Sequence, residues 1–335
     1  MTFSAQTRLD WQEIEEIRCA AERSTLLFIT DRCPVGCAHC SVDSRRDSPT
    51  IKDRRLFAEI VEWICAQASF EVVGISGGEP FVERWGLTLA SRRIVEAGKR
   101  LVVYTSGVWA TQAQPPKWIA DVLDRCATVF LSTDSFHADA MPDARFIHAA
   151  RAIAAAGGWI VVQVVDQGNM VERTHGLLRQ ALGAEYQERA EVHPTQLLPS
   201  GRGANLPVFL HRQAGQTFPR CSKLGSPMVR YDGVVTGCCN ESVIMGLGPT
   251  LLRKQGRTGT EVGAAVAALQ NDPMLRAIGG VGPGVLTAHP RFGDLAERPF
   301  RSICDLCWQE LDRVAGDERP DPLVAAINAA VGARR

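Results

Sequence analysis

The chain has 335 residues, of which 45% are hydrophobic and 22% are charged, and its formal net charge is zero. This composition is typical of a soluble globular protein, and the length allows one large α/β domain with a smaller appendage. Because basic and acidic residues balance, no net field attracts nucleic acid or an anionic membrane. The first residues lack the apolar core of a signal peptide, and no apolar run reaches membrane-span length. We therefore expect a cytoplasmic protein with no nucleic-acid or membrane partner.

Strands and helices alternate from about residue 24 to residue 198, after one amphipathic helix at Asp10–Ala21. The predicted strands are rich in Val, Ile, Leu or Phe, which is typical of parallel strands buried on both faces. They are Thr25–Thr30, Glu71–Ser76, Leu101–Thr105, Thr128–Ser132, Trp159–Val165 and Glu191–Leu197. Helices are predicted between them, near residues 53–68, 83–97, 117–125, 144–156 and 173–182.

This alternation predicts an α/β fold with a parallel sheet and right-handed crossovers. Six such units are too few for an eight-stranded barrel, so we expect a partial (β/α)6 barrel. The predicted domains are an N-terminal helix at 1–24, the barrel at 25–205 and a small C-terminal domain at 206–335. In parallel α/β folds the chemistry gathers at the C-terminal ends of the strands, and the motifs of this chain follow those ends.

The pattern changes after residue 206, where glycine and proline become frequent and two further groups of cysteines occur. Helices are predicted near residues 260–270 and 320–332. We expect this region to be held together by metal rather than by a second hydrophobic core, because metal binding contributes folding free energy in small domains.

Eleven cysteines are unusual for a chain in a reducing compartment, where disulfides are rare and metal binding is the first explanation. Cys33, Cys37 and Cys40 follow the first strand with C-x3-C-x2-C spacing. Three thiolates can hold three irons of a [4Fe–4S] cluster and leave the fourth iron open. The alternative is a zinc knuckle that uses His39 as its fourth ligand. The scattered cysteines are predicted to be buried apolar positions in or at the ends of helices: Cys19, Cys65 and Cys126.

This cysteine spacing, followed one β-unit later by Gly77-Gly78-Glu79-Pro80, resembles the radical S-adenosylmethionine (SAM) superfamily. The resemblance implies that SAM chelates the open iron and yields a 5′-deoxyadenosyl radical. The two glycines would let the backbone approach a ligand closely, and Glu79 would accept from the methionyl ammonium. Further SAM contacts are implied for Ser106 after the third strand, Ser132 and Asp134 after the fourth, and Arg202 after the sixth. His39 is a further candidate for cofactor binding.

The distal cysteines resemble the twitch form of the SPASM extension, which binds one auxiliary [4Fe–4S] cluster. The implied ligands are Cys221, Cys238, Cys304 and Cys307, so two clusters are expected in all. A four-cysteine zinc site is the alternative for this group, because such sites share the CxxC element.

Cys239 directly follows a presumed ligand, and the side chains of adjacent residues diverge. It is a spare thiol, an alternative ligand or a reactive group. The chain also resembles radical SAM peptidyl epimerases of ribosomally made peptides, the epipeptide type. The matching segments are Gly107-Val108-Trp109, Asp134-Ser135-Phe136-His137, Asp232-Gly233, Cys238-Cys239 and Ser302–Cys307. This resemblance implies conversion of an L- to a D-residue, with Cys239 as the hydrogen donor.

The same resemblance implies a peptide substrate and a low-potential electron donor, whereas segment 241–300 departs from the family and leaves the substrate undetermined. Two other enzymatic interpretations remain open. One is a peptide cross-linking enzyme that forms thioether or C–C bonds, and the other is a dehydrogenase or epimerase of a sugar or aminocyclitol. A non-catalytic zinc-binding module is the alternative from a different class.

Overall fold

A computed structural model describes residues 7–207, 211–317 and 321–332, and its centre is one nine-stranded sheet. The first six strands are all parallel and lie side by side in chain order. They are β1 (Ser24–Phe28), β2 (Val72–Ser76), β3 (Arg100–Thr105), β4 (Cys126–Ser132), β5 (Trp159–Val165) and β6 (Ala190–Thr195). The predicted partial barrel of six β/α units is therefore confirmed.

Five helices of the barrel cover the outer face of this sheet and bury one apolar face each, whereas the first closes its base and the short helix Ser135–Ala140 has no buried residue. In the second helix, for example, Asp53 caps the N-terminus, and Phe57, Ile60 and Ile64 share the buried face at helical spacing. The helices are α1 (Trp11–Cys19), α2 (Arg54–Ala66), α3 (Arg84–Glu96), α4 (Lys117–Leu123), α5 (Ser135–Ala140), α6 (Asp143–Ala155) and α7 (Met170–Leu182).

Helix α1 closes the barrel at the N-terminal ends of the strands. Its residues Ile14 and Ile17 are buried against inward-facing side chains, among them Val102 and Phe130. The backbone N–H of Trp11 donates to the Glu191 carboxylate at 2.7 Å, which fixes the start of the helix to the start of β6. The interior of the barrel is therefore closed at one end and open only at the other.

The C-terminal region extends the barrel sheet instead of forming a separate sheet. Strand β8 pairs parallel with β1, and two antiparallel strands follow it outward. The strands are β7 (Gln213–Ala214), β8 (Met228–Arg230), β9 (Val234–Thr236), β10 (Arg253–Gln255) and β11 (Pro299–Phe300), of which β7 and β11 pair apart from the main sheet. The helices are α8 (Glu241–Ile244), α9 (Gly259–Gln270), α10 (Pro273–Gly280), α11 (Pro283–Leu286), α12 (Ile303–Val314) and α13 (Pro322–Gly332).

The expectation that metal would replace a hydrophobic core in this region is wrong. Leu269, Ile278, Phe292, Leu306 and Leu311 are all buried and belong to the same apolar cluster as the outer shell of the barrel. Their side chains come from short helices separated by Gly and Pro turns. The composition therefore indicated loops, whereas the helices pack on the barrel and bury a shared core.

The scattered cysteines only partly follow their prediction. Cys126 is buried as expected, but it begins strand β4 instead of ending a helix. Cys65 is half-buried, and Cys19, at the end of α1, is exposed, so the prediction of a buried position is wrong for Cys19. Within the described ranges, no helix is long and apolar enough to cross a membrane.

Candidate active site

A cavity of about 300 Å³ opens at the C-terminal ends of the barrel strands. This volume lies at the lower end of the range for pockets that bind small molecules. The cavity brings together most of the predicted SAM-site residues: Cys33, Cys37, His39, Cys40, Gly77, Gly78, Ser106, Ser132 and Asp134. The other three predicted cofactor residues, Glu79, Pro80 and Arg202, do not line it.

Main-chain hydrogen bonds hold the cysteine loop after β1 in shape. The N–H of Cys33 donates to the carbonyl of Arg45, and the carbonyl of Cys40 accepts from the N–H of Arg202, both at 2.9 Å. Gly36 has a φ of +77°, a left-handed conformation that glycine adopts without steric cost, and it turns the chain between the first two cysteines. The polypeptide itself therefore directs the three thiols to one cavity.

Two of these thiols also have backbone N–H donors. Ser44 N–H lies 3.4 Å from the sulfur of Cys40. Burial raises the pKa of the Cys33 thiol to about 12, and a hydrogen bond from the Val35 N–H partly offsets that effect. Iron-bound thiolates accept such hydrogen bonds, so the donor set fits a [4Fe–4S] cluster with one open iron.

Gly77 and Gly78 allow close packing between two loops, a role that differs from the predicted approach to a ligand. A Cβ at Gly77 would lie 2.6 Å from the Thr30 carbonyl, and one at Gly78 would collide with the Arg32 carbonyl. Gly78 N–H donates to the Thr30 carbonyl at 2.7 Å. The glycines therefore fix the second loop against the cysteine loop, and their backbones still line the cavity.

Glu79 is fully buried, and its carboxylate is already occupied by neighbouring donors. One oxygen accepts from the Thr105 hydroxyl at 2.8 Å and from Phe81 N–H at 3.2 Å. The other accepts from the backbone and the hydroxyl of Ser106, at 2.9 and 2.5 Å. Pro80 is also buried, at the start of a short 3₁₀ helix. In this structure Glu79 thus positions Ser106, which does line the cavity.

Arg202 lies behind the cysteine loop. Its guanidinium donates to the carbonyl of Cys37 at 2.9 Å, to the carbonyl of Ser44 at 2.8 Å and to the carboxylate of Asp43 at 2.9 Å. These contacts cross-link the loop. In this structure Arg202 holds the cysteine loop, and its contact with the SAM carboxylate stays a prediction.

Asp134 joins two histidines at the edge of the cavity. One of its carboxylate oxygens lies 3.0 Å from His137 Nδ1, and the other lies 3.3 Å from His39 Nε2. The His39 ring stacks on Phe136 at 4.7 Å between ring centroids. Burial by itself lowers the pKa of His137, but contacts with Asp134 and Cys37 outweigh burial and raise that pKa to about 10.

A zinc knuckle would require His39 to join the three cysteines. In the part of the chain that the structure describes, the one group of three or more candidate metal ligands with atoms within 4.8 Å of one another is Cys37, His39 and His137. This group contains one cysteine of the motif, and it differs from the ligand set of the zinc alternative.

The polar residues of the cavity that sequence reasoning missed include Tyr104, Gln163 and Glu241. Tyr104 and Gln163 lie on β3 and β5, in which the other central residues are Val or Ile. A polar residue inside an apolar strand is expensive to bury without a partner, and this was the available signal. Glu241 comes from the C-terminal region, so nothing in its local sequence indicated the cavity.

The four distal cysteines predicted as ligands are neighbours. Burial raises the pKa of Cys304 to about 11, and the nearby Cys221 thiol adds to that effect. Burial also raises the pKa of Cys307, with contributions from Cys238, Cys304 and Cys221. Cys304 and Cys307 are one turn apart on α12, so they present their sulfurs on the same side of the helix.

Asn240 supplies hydrogen bonds to two of these thiols. Its backbone N–H donates to Cys238, and its side chain donates to Cys304. Both bonds favour the thiolate over the thiol, which is the state that binds metal. The donor set therefore fits a thiolate-ligated cluster here also.

Cys239 occupies a different compartment from Cys238. It lines a cavity of about 30 Å³ inside the barrel, between α1 and strands β1 to β3. Arg18 of α1 is its polar neighbour, with a guanidinium nitrogen 4.0 Å from the sulfur. Glu241, two residues further along, lines the large cavity. Within this short segment Cys238 thus lies among the distal thiols, Cys239 lines the cavity inside the barrel, and Glu241 lines the large cavity.

Residues 27–160 match the model of the radical SAM superfamily, and this stretch contains the cysteine loop and the Gly77–Pro80 loop. The chain therefore contains a radical SAM domain. This radical SAM enzyme is therefore expected to bind SAM and one [4Fe–4S] cluster as its cofactors. No curated protein is found to match the chain in sequence.

Solved structures resemble the fold at low sequence identity. SuiB from Streptococcus suis bound to S-adenosylmethionine has a TM-score of 0.51 and 12% identity, over 77% of this chain and 67% of SuiB. SuiB bound to the precursor peptide SuiA has a TM-score of 0.50 and 13% identity, over 77% and 66%. Native anSMEcpe with AdoMet and Cp18Cys peptide has a TM-score of 0.43 and 12% identity, over 93% and 99%. The radical SAM chain thus spans about two thirds of SuiB, and the SuiB likeness shows a common fold only.

Proposed function

We propose that this radical SAM enzyme is a peptidyl epimerase, which converts an L-residue of a ribosomally made peptide into a D-residue. The observation that carries the proposal is the position of Cys239, whose thiol lines a cavity inside the barrel that none of the four distal thiols lines. When bound, SAM and its cluster supply a 5′-deoxyadenosyl radical that removes the Cα hydrogen of the substrate. The resulting carbon radical is planar, so the face from which hydrogen returns decides the configuration.

In this proposal the large cavity holds SAM. Cys33, Cys37 and Cys40 bind three irons, and the loops that contain Gly77, Gly78, Ser106, Ser132 and Asp134 surround the cofactor. His39 takes part through its stack on Phe136 and its contact with Asp134. The chain's own contribution is to orient SAM and the substrate, because competing fates of a radical are decided by position.

The distal cysteines hold one auxiliary [4Fe–4S] cluster in this proposal, through Cys221, Cys238, Cys304 and Cys307. Asn240 orients the thiolates of Cys238 and Cys304. Residues 206–335 then form an extension that carries the auxiliary cluster, residues 25–205 form the SAM-binding barrel, and residues 1–24 close its base.

Cys239 returns hydrogen to the substrate radical. The S–H bond breaks, the new Cα–H bond forms, and a sulfur radical remains on the protein. One electron from a low-potential donor and one proton then regenerate the thiol. Cys239 directly follows Cys238, a proposed ligand of the auxiliary cluster, so a cluster bound there would supply a route for this electron. In this proposal both this donor and the enzyme are in the cytoplasm.

A peptide substrate is supported by the shared fold with SuiB, for which a complex with its precursor peptide SuiA is known. In this proposal a segment of the peptide reaches SAM through the mouth of the barrel, where the large cavity lies. No nucleic-acid or membrane partner is proposed, because the chain has no net charge.

Mass measurement of the product in D2O tests the proposal. An epimerase that returns hydrogen from a thiol leaves one deuterium at each inverted centre, because the thiol exchanges its proton with solvent. A cross-linking enzyme or a dehydrogenase gives a product that is lighter by two hydrogens and carries no solvent deuterium. That second outcome would reject epimerisation. Cys239→Ala should still bind both clusters and form 5′-deoxyadenosine, but the inverted product should disappear.

A further inference from the structure

Tyr104 forms a wall between the two cavities of the barrel. It lies on β3, one residue before the end of the strand, and its side chain lines both the large cavity and the small one that contains Cys239. Cys239 lines only the small cavity. Within the residues that line the two cavities, Tyr104 is the one side chain shared by both.

The small cavity has no room for a substrate. Its volume of about 30 Å³ accommodates roughly one or two water molecules, whereas SAM and a peptide segment require the large cavity. Tyr104 thus lines the cavity in which SAM and the substrate are proposed to bind, whereas Cys239 does not.

The Tyr104 ring is fixed by its neighbours. It stacks on Phe130 of β4 with 4.4 Å between ring centroids, and both residues belong to the apolar cluster of the barrel interior. The phenol also lies near the guanidinium of Arg18, which is 4.0 Å from the sulfur of Cys239. Tyr104, Arg18 and Cys239 thus line the small cavity together, and Tyr104 alone of the three also lines the large one.

We propose that Tyr104 relays the hydrogen atom from Cys239 to the substrate radical, an inference that rests on the proposed epimerisation. The phenol O–H bond breaks as the Cα–H bond forms, which leaves a tyrosyl radical. The thiol S–H bond of Cys239 then breaks as the phenol O–H bond is restored, which leaves a sulfur radical. Each step moves one proton and one electron together, so charge and atoms balance.

The sulfur radical is reduced by one electron from the low-potential donor and takes up one proton. Polar side chains on and beside α1 form a series of contacts that begins at the thiol of Cys239 and could carry this proton. Arg18 pairs with Glu15 at 2.6 Å, and Glu15 also pairs with Lys223, which lies 3.5 Å from the sulfur of the exposed Cys19. This route connects Cys239 to the exposed Cys19 through protein groups that do not line the large cavity.

The test compares Tyr104→Phe with the matched control Tyr186→Phe in the holoenzyme. Tyr104→Phe keeps the ring and its stack and removes only the O–H, whereas Tyr186 pairs with His175 on the outer shell, away from both cavities. We expect Tyr104→Phe to keep its iron content, its SAM affinity and its peptide-dependent 5′-deoxyadenosine. Inverted peptide per 5′-deoxyadenosine should fall by about a hundredfold, the scale of losing a positioned reacting group. The control should match wild type.

A second variant keeps the test decisive if Tyr104→Phe does not fold. With 3-aminotyrosine at position 104 the hydroxyl and the ring shape remain, and the relay radical becomes more stable. Electron paramagnetic resonance during turnover should then show an aminotyrosyl radical. Turnover without this signal, or wild-type yields of deuterated epimer from Tyr104→Phe, would overturn the relay and leave epimerisation standing. A wild-type product two hydrogens lighter would instead reject the proposed function itself.

Discussion

The mouth of the barrel and the region around the distal cysteines differ in how their buried carboxylates are satisfied. Glu79, at the barrel mouth, is fully buried and accepts hydrogen bonds from Phe81, Thr105 and Ser106. Glu310, on α12, is also fully buried, yet neither of its oxygens has a hydrogen-bond partner among the described residues. The Glu79 carboxylate is thus satisfied within the protein, whereas both oxygens of the Glu310 carboxylate lack a partner among the described residues.

The two regions also bring their cysteines together by different means. Cys33, Cys37 and Cys40 lie in one loop whose shape is set by main-chain hydrogen bonds. The distal cysteines come from three segments of the chain, which meet because their flanking residues share the apolar core. Loss of metal should therefore affect chemistry most at the barrel mouth and structure most in the distal region.

The largest effect is expected from replacing Cys33, Cys37 and Cys40 together by Ala. Reconstituted iron should fall from about eight to about four per chain, by the four irons of each cluster, and 5′-deoxyadenosine formation should stop. The far-ultraviolet circular dichroism should stay close to wild type, because the loop is held by its backbone. Iron analysis and product chromatography measure the result. A triple variant that still cleaves SAM would exclude this loop as the cluster site.

The next effect concerns Cys304 and Cys307. Replacing both by Ala should remove the auxiliary iron and leave the spectrum of the SAM cluster intact. Since the region has an apolar core that includes Leu306 and Leu311, the variant should still unfold cooperatively, with a lower midpoint. The exposed Cys19→Ala is the control and should change neither iron nor stability. Full iron content in the double variant would show that these two cysteines are not ligands.

The arrangement of strands and the cavity could be predicted from sequence because both depend on local patterns. Runs such as Trp159–Val165 are apolar enough to identify buried strands, and that strand has the predicted bounds. Once the strands are placed, parallel topology dictates that the loops after them meet. For this reason Cys33, Gly77, Ser106 and Asp134 share one cavity as expected.

The direction of individual side chains could not be predicted, because it depends on contacts between distant segments. The Glu79 carboxylate accepts a hydrogen bond from Ser106, and the Arg202 guanidinium donates to the carbonyl of Cys37 in the cysteine loop. Each motif placed the residue at the right end of the right strand, but a carboxylate or guanidinium there can face either a ligand or a neighbouring loop. The role of Tyr104 required knowledge of a second cavity, which involves α1 and the C-terminal region.

The pH dependence of stability tests whether the buried Glu310 carboxylate lacks the partners that Glu79 has. Burial raises its pKa to about 9, and the nearby Arg313 offsets only part of that rise. The folded protein therefore keeps this proton at neutral pH, whereas the unfolded chain loses it near pH 4.3. The contribution of the Glu310 proton to the free energy of unfolding is fully present below that pH. It declines as the pH rises toward 9, by about 1.4 kcal/mol per pH unit.

Glu310→Met should remove this pH dependence. Between pH 5.5 and 7.5 the free energy of unfolding of wild type should fall by up to about 3 kcal/mol more than that of the variant. Urea unfolding at the two pH values measures the difference. Asp312→Asn, an exposed change on the same helix, is the control. Parallel pH profiles for wild type and Glu310→Met would mean that Glu310 has a partner in solution.

The smallest effect is expected from Glu79→Gln. This variant tests whether the hydrogen bonds of the Glu79 carboxylate stabilise the barrel mouth. Each oxygen of Glu79 accepts from a backbone N–H, of Ser106 or of Phe81, so the amide of Gln must direct its NH2 group at one of these donors. A buried donor without an acceptor costs about 1–3 kcal/mol, and the free energy of unfolding should fall by that amount. Because Ser106 would shift, SAM should also bind more weakly. The control Glu62→Gln breaks only an exposed pair with Arg93 and should cost less than about 1 kcal/mol. Equal stabilities of the two variants would contradict a structural role for Glu79 and restore it as a free acceptor for the methionyl ammonium.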